Sequence, residues 1–158
     1  MRLRDIVVEQ AVIPRLAATR RDDAIREIVD SLCSCGAISP EMREEFVAAV
    51  LRRENTGSTG FGHGVAVPHA KHTAVSRMMV TVAISQQGVE FNALDKQPVH
   101  SIFLLLSPAD KPEDHLDAME AIFGNLSKET FRRFLRQASG VQDVLTLLEE
   151  ADARTALR

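Results

Sequence analysis

The sequence predicts an α/β (α+β) fold: one domain, with a mixed β-sheet sandwiched between helices. Three observations carry that expectation. Two segments with apolar residues at helical spacing come first, a group of strand-like runs follows, and three further helical segments close the chain. That order places helices on both faces of a sheet. The length of 158 residues fits one hydrophobic core, and no linker, repeat or low-complexity stretch divides it. Residues 1–150 are read as the domain and 151–158 as a frayed tail.

Up to about Thr19 the chain is mixed, with Ile6-Val7-Val8 and Val12-Ile13 as short extended pieces before Pro14 interrupts. From Arg21, the recurrence of Ala24, Ile25, Ile28, Val29 and Leu32 predicts a helix that Gly36 ends as a C-terminal cap. Ser39-Pro40-Glu41 opens the next one, with Ser39 as N-cap, proline at the first helical position and an acid at the positive end of the dipole. Its buried face is Met42, Phe46, Val47, Val50 and Leu51, and it ends near Arg53. Met78 to Ile84 reads as a mostly buried strand, Gln87-Gly88 as a turn, and Val89-Glu90-Phe91 as a short stretch before a polar loop. Val99 to Leu106, bounded by Pro98 and Pro108, is another strand. Leu116, Met119, Ile122, Phe123 and Leu126 mark the first late helix, Phe131, Phe134 and Leu135 the second, and Val141, Val144, Leu145 and Leu148 the third. Ser139 with Gln142 is a capping-box pattern for the last of these.

Composition excludes several classes. A net charge of -3 gives no electrostatic footprint for nucleic acid, and a chain without Trp or Tyr lacks the usual surface for stacking bases. The longest apolar run, around Ile102 to Leu106, is far short of the roughly 20 residues a membrane helix needs, and no apolar signal-peptide core follows Met1. A cytoplasmic protein without membrane insertion is expected. Cys33 and Cys35 form a lone Cys-x-Cys pair, two ligands short of a structural zinc site, and read as reduced cysteines at a helix end.

The segment from Arg52 to His72 holds four of the eight glycines and three of the five histidines, a concentration that ordinary helix and strand do not require. Neither nucleotide motif fits it. Gly57 and Gly62 have the spacing of a phosphate-cradling loop, but His63 stands where its lysine must be; Gly60 and Gly62 begin a dinucleotide fingerprint, but Val65 occupies its last glycine position. What remains is a glycine loop, then Val65-Ala66-Val67, stopped by Pro68, which delivers His69 at a strand end.

A neutral imidazole presents a nucleophilic nitrogen near physiological pH, so His69 is a candidate for phosphoryl transfer. The transferred group spreads negative charge over its oxygens and needs donors and positive charge around it. Arg53 matches phosphate bidentately, while Gly57 N–H and the Ser58 and Thr59 hydroxyls are candidate hydrogen-bond donors. His115, opening the first late helix, is a candidate second histidine. His72 and His100 are read as surface residues. A zinc site of His63, His69 and His72 ranks below the phosphoryl site, because spacings of six and three match no common ligand pattern.

The run Arg53-Glu54-x-x-Gly57-Ser58-Thr59-Gly60-Phe61-Gly62-x-Gly64-Val65-Ala66-Val67-Pro68-His69 resembles the active-site signature of the fructose/mannitol-type enzyme IIA domains of the bacterial phosphotransferase system. Glu90-Phe91, Asp95-x-x-Pro98-Val99, Phe103 to Leu106 and His115-Leu116 continue the likeness, so it covers essentially the whole chain. Phe61 stands where that family commonly has Ile or Val, and His63 where Asn is frequent. The resemblance implies a mixed sheet between helices, His69 as the phosphorylated histidine, Arg53 as a holder of the phosphoryl group, and His115 as the second active-site histidine. It implies an HPr-like phosphocarrier as donor and no metal or other cofactor. A IIA domain standing alone is most similar to the nitrogen-regulatory branch, which acts on regulatory target proteins; a transport component feeding a separate IIB, or a binding module without turnover, are the alternatives.

Overall fold

The computed structural model describes residues 1–156. The expected architecture is present. A five-stranded mixed sheet is built from β1 (Gly60–Gly62), β2 (Val65–Ala66), β3 (His69–His72), β4 (Met79–Val89) and β5 (Val99–Pro108). Strand β5 is central: β4 runs antiparallel along one edge, while β2 and β3 run parallel along the other, and β1 pairs antiparallel with β2. The N-terminal segment lies beside β4 through parallel bridges from Val7, Ile13 and Arg20 to Val80, Ala83 and Glu90.

Strand β5 is apolar on both faces because both are covered. Ile102, Leu104 and Leu106 point toward α2 (Arg21–Ser34) and α3 (Arg43–Asn55), meeting Ile25, Ile28, Val29, Phe46 and Val50. Phe103 and Leu105 point the opposite way, toward α4 (Pro112–Leu126), α5 (Glu129–Gln137) and α6 (Val141–Ala156), meeting Ile122, Leu126, Phe131, Leu135 and Leu148. The short helix α1 (Leu3–Ile6) lies on this second side, with Leu3 fully buried.

Gly36 ends α2 as expected, with φ +81°. Several local expectations change. Pro40–Met42 is a 3₁₀ turn and α3 begins at Arg43; the Ser39 hydroxyl bonds Glu41 instead of capping the helix. Helix α3 continues past Arg53 to Asn55, so Arg53 and Glu54 belong to its last turn. Gln87-Gly88 is no turn: β4 runs through it to Val89 with a register shift after Ile84, and Gly88 takes φ +94° with its N–H on the Ser85 hydroxyl at 2.9 Å. Such an irregularity carries the same glycine signal as a hairpin. Leu116 and Phe134, expected in the core, are 61% and 49% exposed, and Ala118 takes the inward place on α4. At the start of α6, Ser139 donates to Asp143, one residue beyond the expected Gln142.

The tail expected to fray from residue 151 is helical to Ala156, and Ala151 is buried. Asp152 accepts the Leu3 and Arg4 N–H groups, each at 2.9 Å, and so caps the start of α1. Residues 157 and 158 lie outside the described residues.

Candidate active site

The site is built where the interrupted strand meets the end of α3. Strands β2 and β3 pair with β5 at one unbroken register, Ala66 with Ile102 and His69 with Leu105, across the gap of Val67-Pro68. Pro68 lacks an N–H, yet its carbonyl accepts from Leu105 N at 3.0 Å, so the break costs a donor without shifting the strand. His69 then opens β3, half-buried, with Nδ1 2.7 Å from the Val67 carbonyl. A carbonyl only accepts, so Nδ1 carries the proton and the lone pair of Nε2 is free.

Strand alternation decides what shares the face of His69. Lys71 points the same way and is exposed; Ala70 and His72 point to the other side, where His72 packs edge-on against Phe46 with ring centroids 5.2 Å apart. His72 is engaged at both nitrogens, with Glu45 and with the N–H of Ala74. His63 sits exposed in the β1–β2 turn at φ +59°. The histidine trio considered for zinc is therefore split between faces, and among the described residues no group of three potential ligands converges. His100 Nδ1 lies 2.9 Å from the Ser85 carbonyl.

His115 does come to His69: the ring centroids are 5.4 Å apart. It reaches there because β5 runs alongside β3 and hands the chain to α4 within a few residues. His115 is 6% exposed, and its Nδ1 lies 2.7 Å from the hydroxyl of Ser107, which is fully buried on β5. Burial is the largest influence on both rings. It draws His69 below its ordinary value, opposed by the bond to Val67 and reinforced by the charges of Arg53 and Lys71. His115 is pulled down to about 4 by burial, then by His69 and Lys71. Both imidazoles are thus neutral at neutral pH.

Arg53 is exposed at the end of α3, and its Nη1 donates to the Gly57 carbonyl at 2.8 Å and approaches the Thr56 hydroxyl at 3.3 Å. Nε and Nη2 make no hydrogen bond among the described residues, which leaves part of the guanidinium fork for an anion. The loop residues behave differently from expectation. Thr59 is buried, and both its N–H and its hydroxyl donate to the carboxylate of Glu54, itself 2% exposed. Its hydroxyl therefore holds the loop and is not free to meet a phosphoryl group. Ser58 Oγ accepts from Gly60 N at 3.0 Å, and Gly57 N–H donates to the Glu54 carbonyl at 3.1 Å. Gly60 is packed so closely that a Cβ there would stand 2.9 Å from the Cβ of Ala93.

Three contributors were not singled out from the sequence. Lys71 was detectable as the second residue after His69 on a strand. Glu54 was hidden by placing the helix end too early, and Ser107 had no sequence signal pairing it with His115.

Residues 5–151 match the model of the family described as phosphoenolpyruvate-dependent sugar phosphotransferase system, EIIA 2. The chain is similar to the PTS system fructose-specific EIIA component of Haloferax volcanii, 35% identical over 82% of this chain and 83% of that one. It is 28% identical to the nitrogen regulatory protein of Bradyrhizobium diazoefficiens over 99% of this chain and 100% of the relative. Among solved structures, the nitrogen regulatory protein IIA-Ntr of Neisseria meningitidis superposes with a TM-score of 0.84 at 26% identity, covering 92% of this chain and 98% of that one.

Proposed function

Since the chain belongs to the EIIA 2 family of the phosphoenolpyruvate-dependent sugar phosphotransferase system, we propose that it is a phosphohistidine carrier whose acceptor is Nε2 of His69. One observation carries this reading: Nδ1 of His69 is committed to the Val67 carbonyl, which leaves the other nitrogen unprotonated beside His115. In the transfer step, the Nε2 lone pair attacks the phosphorus of a phosphohistidine on an HPr-like donor. The donor's P–N bond breaks, its electron pair stays on the donor imidazole, and that ring takes a proton from solvent. The positive charge that develops on His69 is shared with the Val67 carbonyl through Nδ1–H. Arg53, His115 and Lys71 supply donors and positive charge to the phosphoryl oxygens. No metal or nucleotide enters this scheme.

The output we infer is regulatory and cytoplasmic, with target proteins bound according to phosphorylation state. The relative named nitrogen regulatory protein is matched along its whole length, which supports this. The fructose-specific EIIA relative supports a second reading, transfer onward to a separate IIB component.

Incubation with phosphoenolpyruvate, enzyme I and HPr should add one acid-labile, alkali-stable phosphoryl group to the wild type and none to His69→Ala. Labelling that persists in the variant rejects the assignment. Partner capture that depends on phosphorylation, without loss of label to a IIB component, supports the regulatory output; rapid loss of label to IIB supports transport.

A further inference from the structure

The two facing imidazoles have different partners at Nδ1. His69 meets a backbone carbonyl, which can only accept; His115 meets a serine hydroxyl, which can do either. The direction of the second bond follows from what the hydroxyl can reach. Ser107 is fully buried, and its Oγ has no other partner among the described residues. If His115 Nδ1–H donated to it, the serine O–H would be left buried without an acceptor, and a buried unsatisfied donor is strongly disfavoured. If the serine donates, both groups are satisfied. Nδ1 of His115 then accepts, and the ring proton sits on Nε2. That nitrogen has no protein partner, yet among the described residues no buried side-chain nitrogen or oxygen is left unpaired. Nε2 of His115 therefore reaches the surface of the site.

We propose that Ser107 is a positioning residue that fixes His115 in the Nε2–H tautomer, opposite to that of His69, so that a neutral donor faces the group carried by the nucleophile. The same side chain type thereby performs two roles: His69 offers a lone pair and His115 offers a hydrogen bond. The assignment is made by the Nδ1 partners alone. A protonated His115 is not needed for donation, and burial disfavours it. Ser107 touches no reacting atom; it acts through His115. The contribution to phosphoryl transfer rests on the reading of His69 as acceptor, but the tautomer itself does not.

Long-range ¹H–¹⁵N correlation on the unphosphorylated protein at neutral pH tests the tautomer directly. A pyrrole-type Nε2 and a pyridine-type Nδ1 are expected for His115, with the reverse assignment for His69. A protonated Nδ1 at His115 overturns the proposal whatever the activity. The second arm measures phosphoryl acceptance from phosphorylated HPr in a double-mutant cycle. Ser107→Ala should slow transfer roughly tenfold in the wild-type background and change it less than about twofold in the His115→Ala background, because the effect passes through that ring. Equal slowing in both backgrounds, or none in the wild type, overturns the proposal. A wild-type protein that takes no label from phosphorylated HPr refutes the reading of His69 instead, and the correlation spectrum still decides the tautomer.

Discussion

Replacing Glu54 with alanine removes the acceptor that holds the glycine loop against the end of α3. In the structure the carboxylate, 2% exposed, receives the Thr59 N–H at 3.2 Å and the Thr59 hydroxyl. Thr59 is itself 7% exposed, so water does not readily replace the lost partner. Each buried donor left unsatisfied costs about 1–3 kcal/mol, and two are stranded, which gives Glu54→Ala a loss of about 2–6 kcal/mol. For a chain of this size one kcal/mol lowers Tm by about 2–4 °C, so the midpoint should fall by about 10 °C. Urea and thermal unfolding followed by circular dichroism measure this. Adding Thr59→Val removes one of the stranded donors, and the pair should therefore be more stable than the sum of the single losses by about 1–2 kcal/mol. The same loop supplies the Gly57 carbonyl that Arg53 grips, so phosphoryl acceptance should slow in the variant even at temperatures where it stays folded. A Glu54→Ala protein that loses less than about 1 kcal/mol, or a pair that is strictly additive, would refute the reasoning.

Other perturbations test neighbouring parts. Arg53→Lys keeps the charge but loses the planar fork; transfer should slow roughly tenfold or more with the unfolding midpoint unchanged, and wild-type rates would remove Arg53 from the site. His115 has its pKa drawn from 6.5 to about 4 on folding, and His69 is lowered too. The unfolded chain therefore takes up these protons first. Stability should be full above about pH 6.5 and fall as pH drops toward 4, by on the order of 1–3 kcal/mol from His115. His115→Gln should flatten that slope in urea titrations, and an unchanged slope would assign the effect elsewhere. Asp152→Ala uncaps α1 and should cost about 1–2 kcal/mol without altering transfer rates, whereas a tail that merely frays would tolerate it with no change in stability.

How far the residues could be read depended on the kind of signal. Pro68 made His69 legible, because a proline that ends an apolar run marks a strand end without any knowledge of the partner strand. The apolar, β-branched run of β4 likewise announced a mostly buried strand. By its position His115 was legible as the opening of a helix and, by the family resemblance, as a second active-site histidine; its approach to His69 depends on β3 and β5 being neighbours, and pairing between distant strands leaves no local trace. Thr59 shows a related limit: a hydroxyl in a glycine loop looks available until the buried carboxylate of Glu54 is found beside it. Gly88 shows the limit of composition, because a positive φ serves a bulge as well as a turn. Leu116 and Phe134 obey helical spacing yet lie at the edge of the apolar face, where one position of rotation decides between core and solvent.

The unbroken register across Pro68 has a mechanical consequence. Because Leu105 grips the carbonyl before His69 and Ser107 stands on the same strand, both imidazoles hang from a single beam clamped on either edge. Sliding or bending of that beam should carry both rings together for as long as the Ser107 bond to His115, which belongs to α4, stays made.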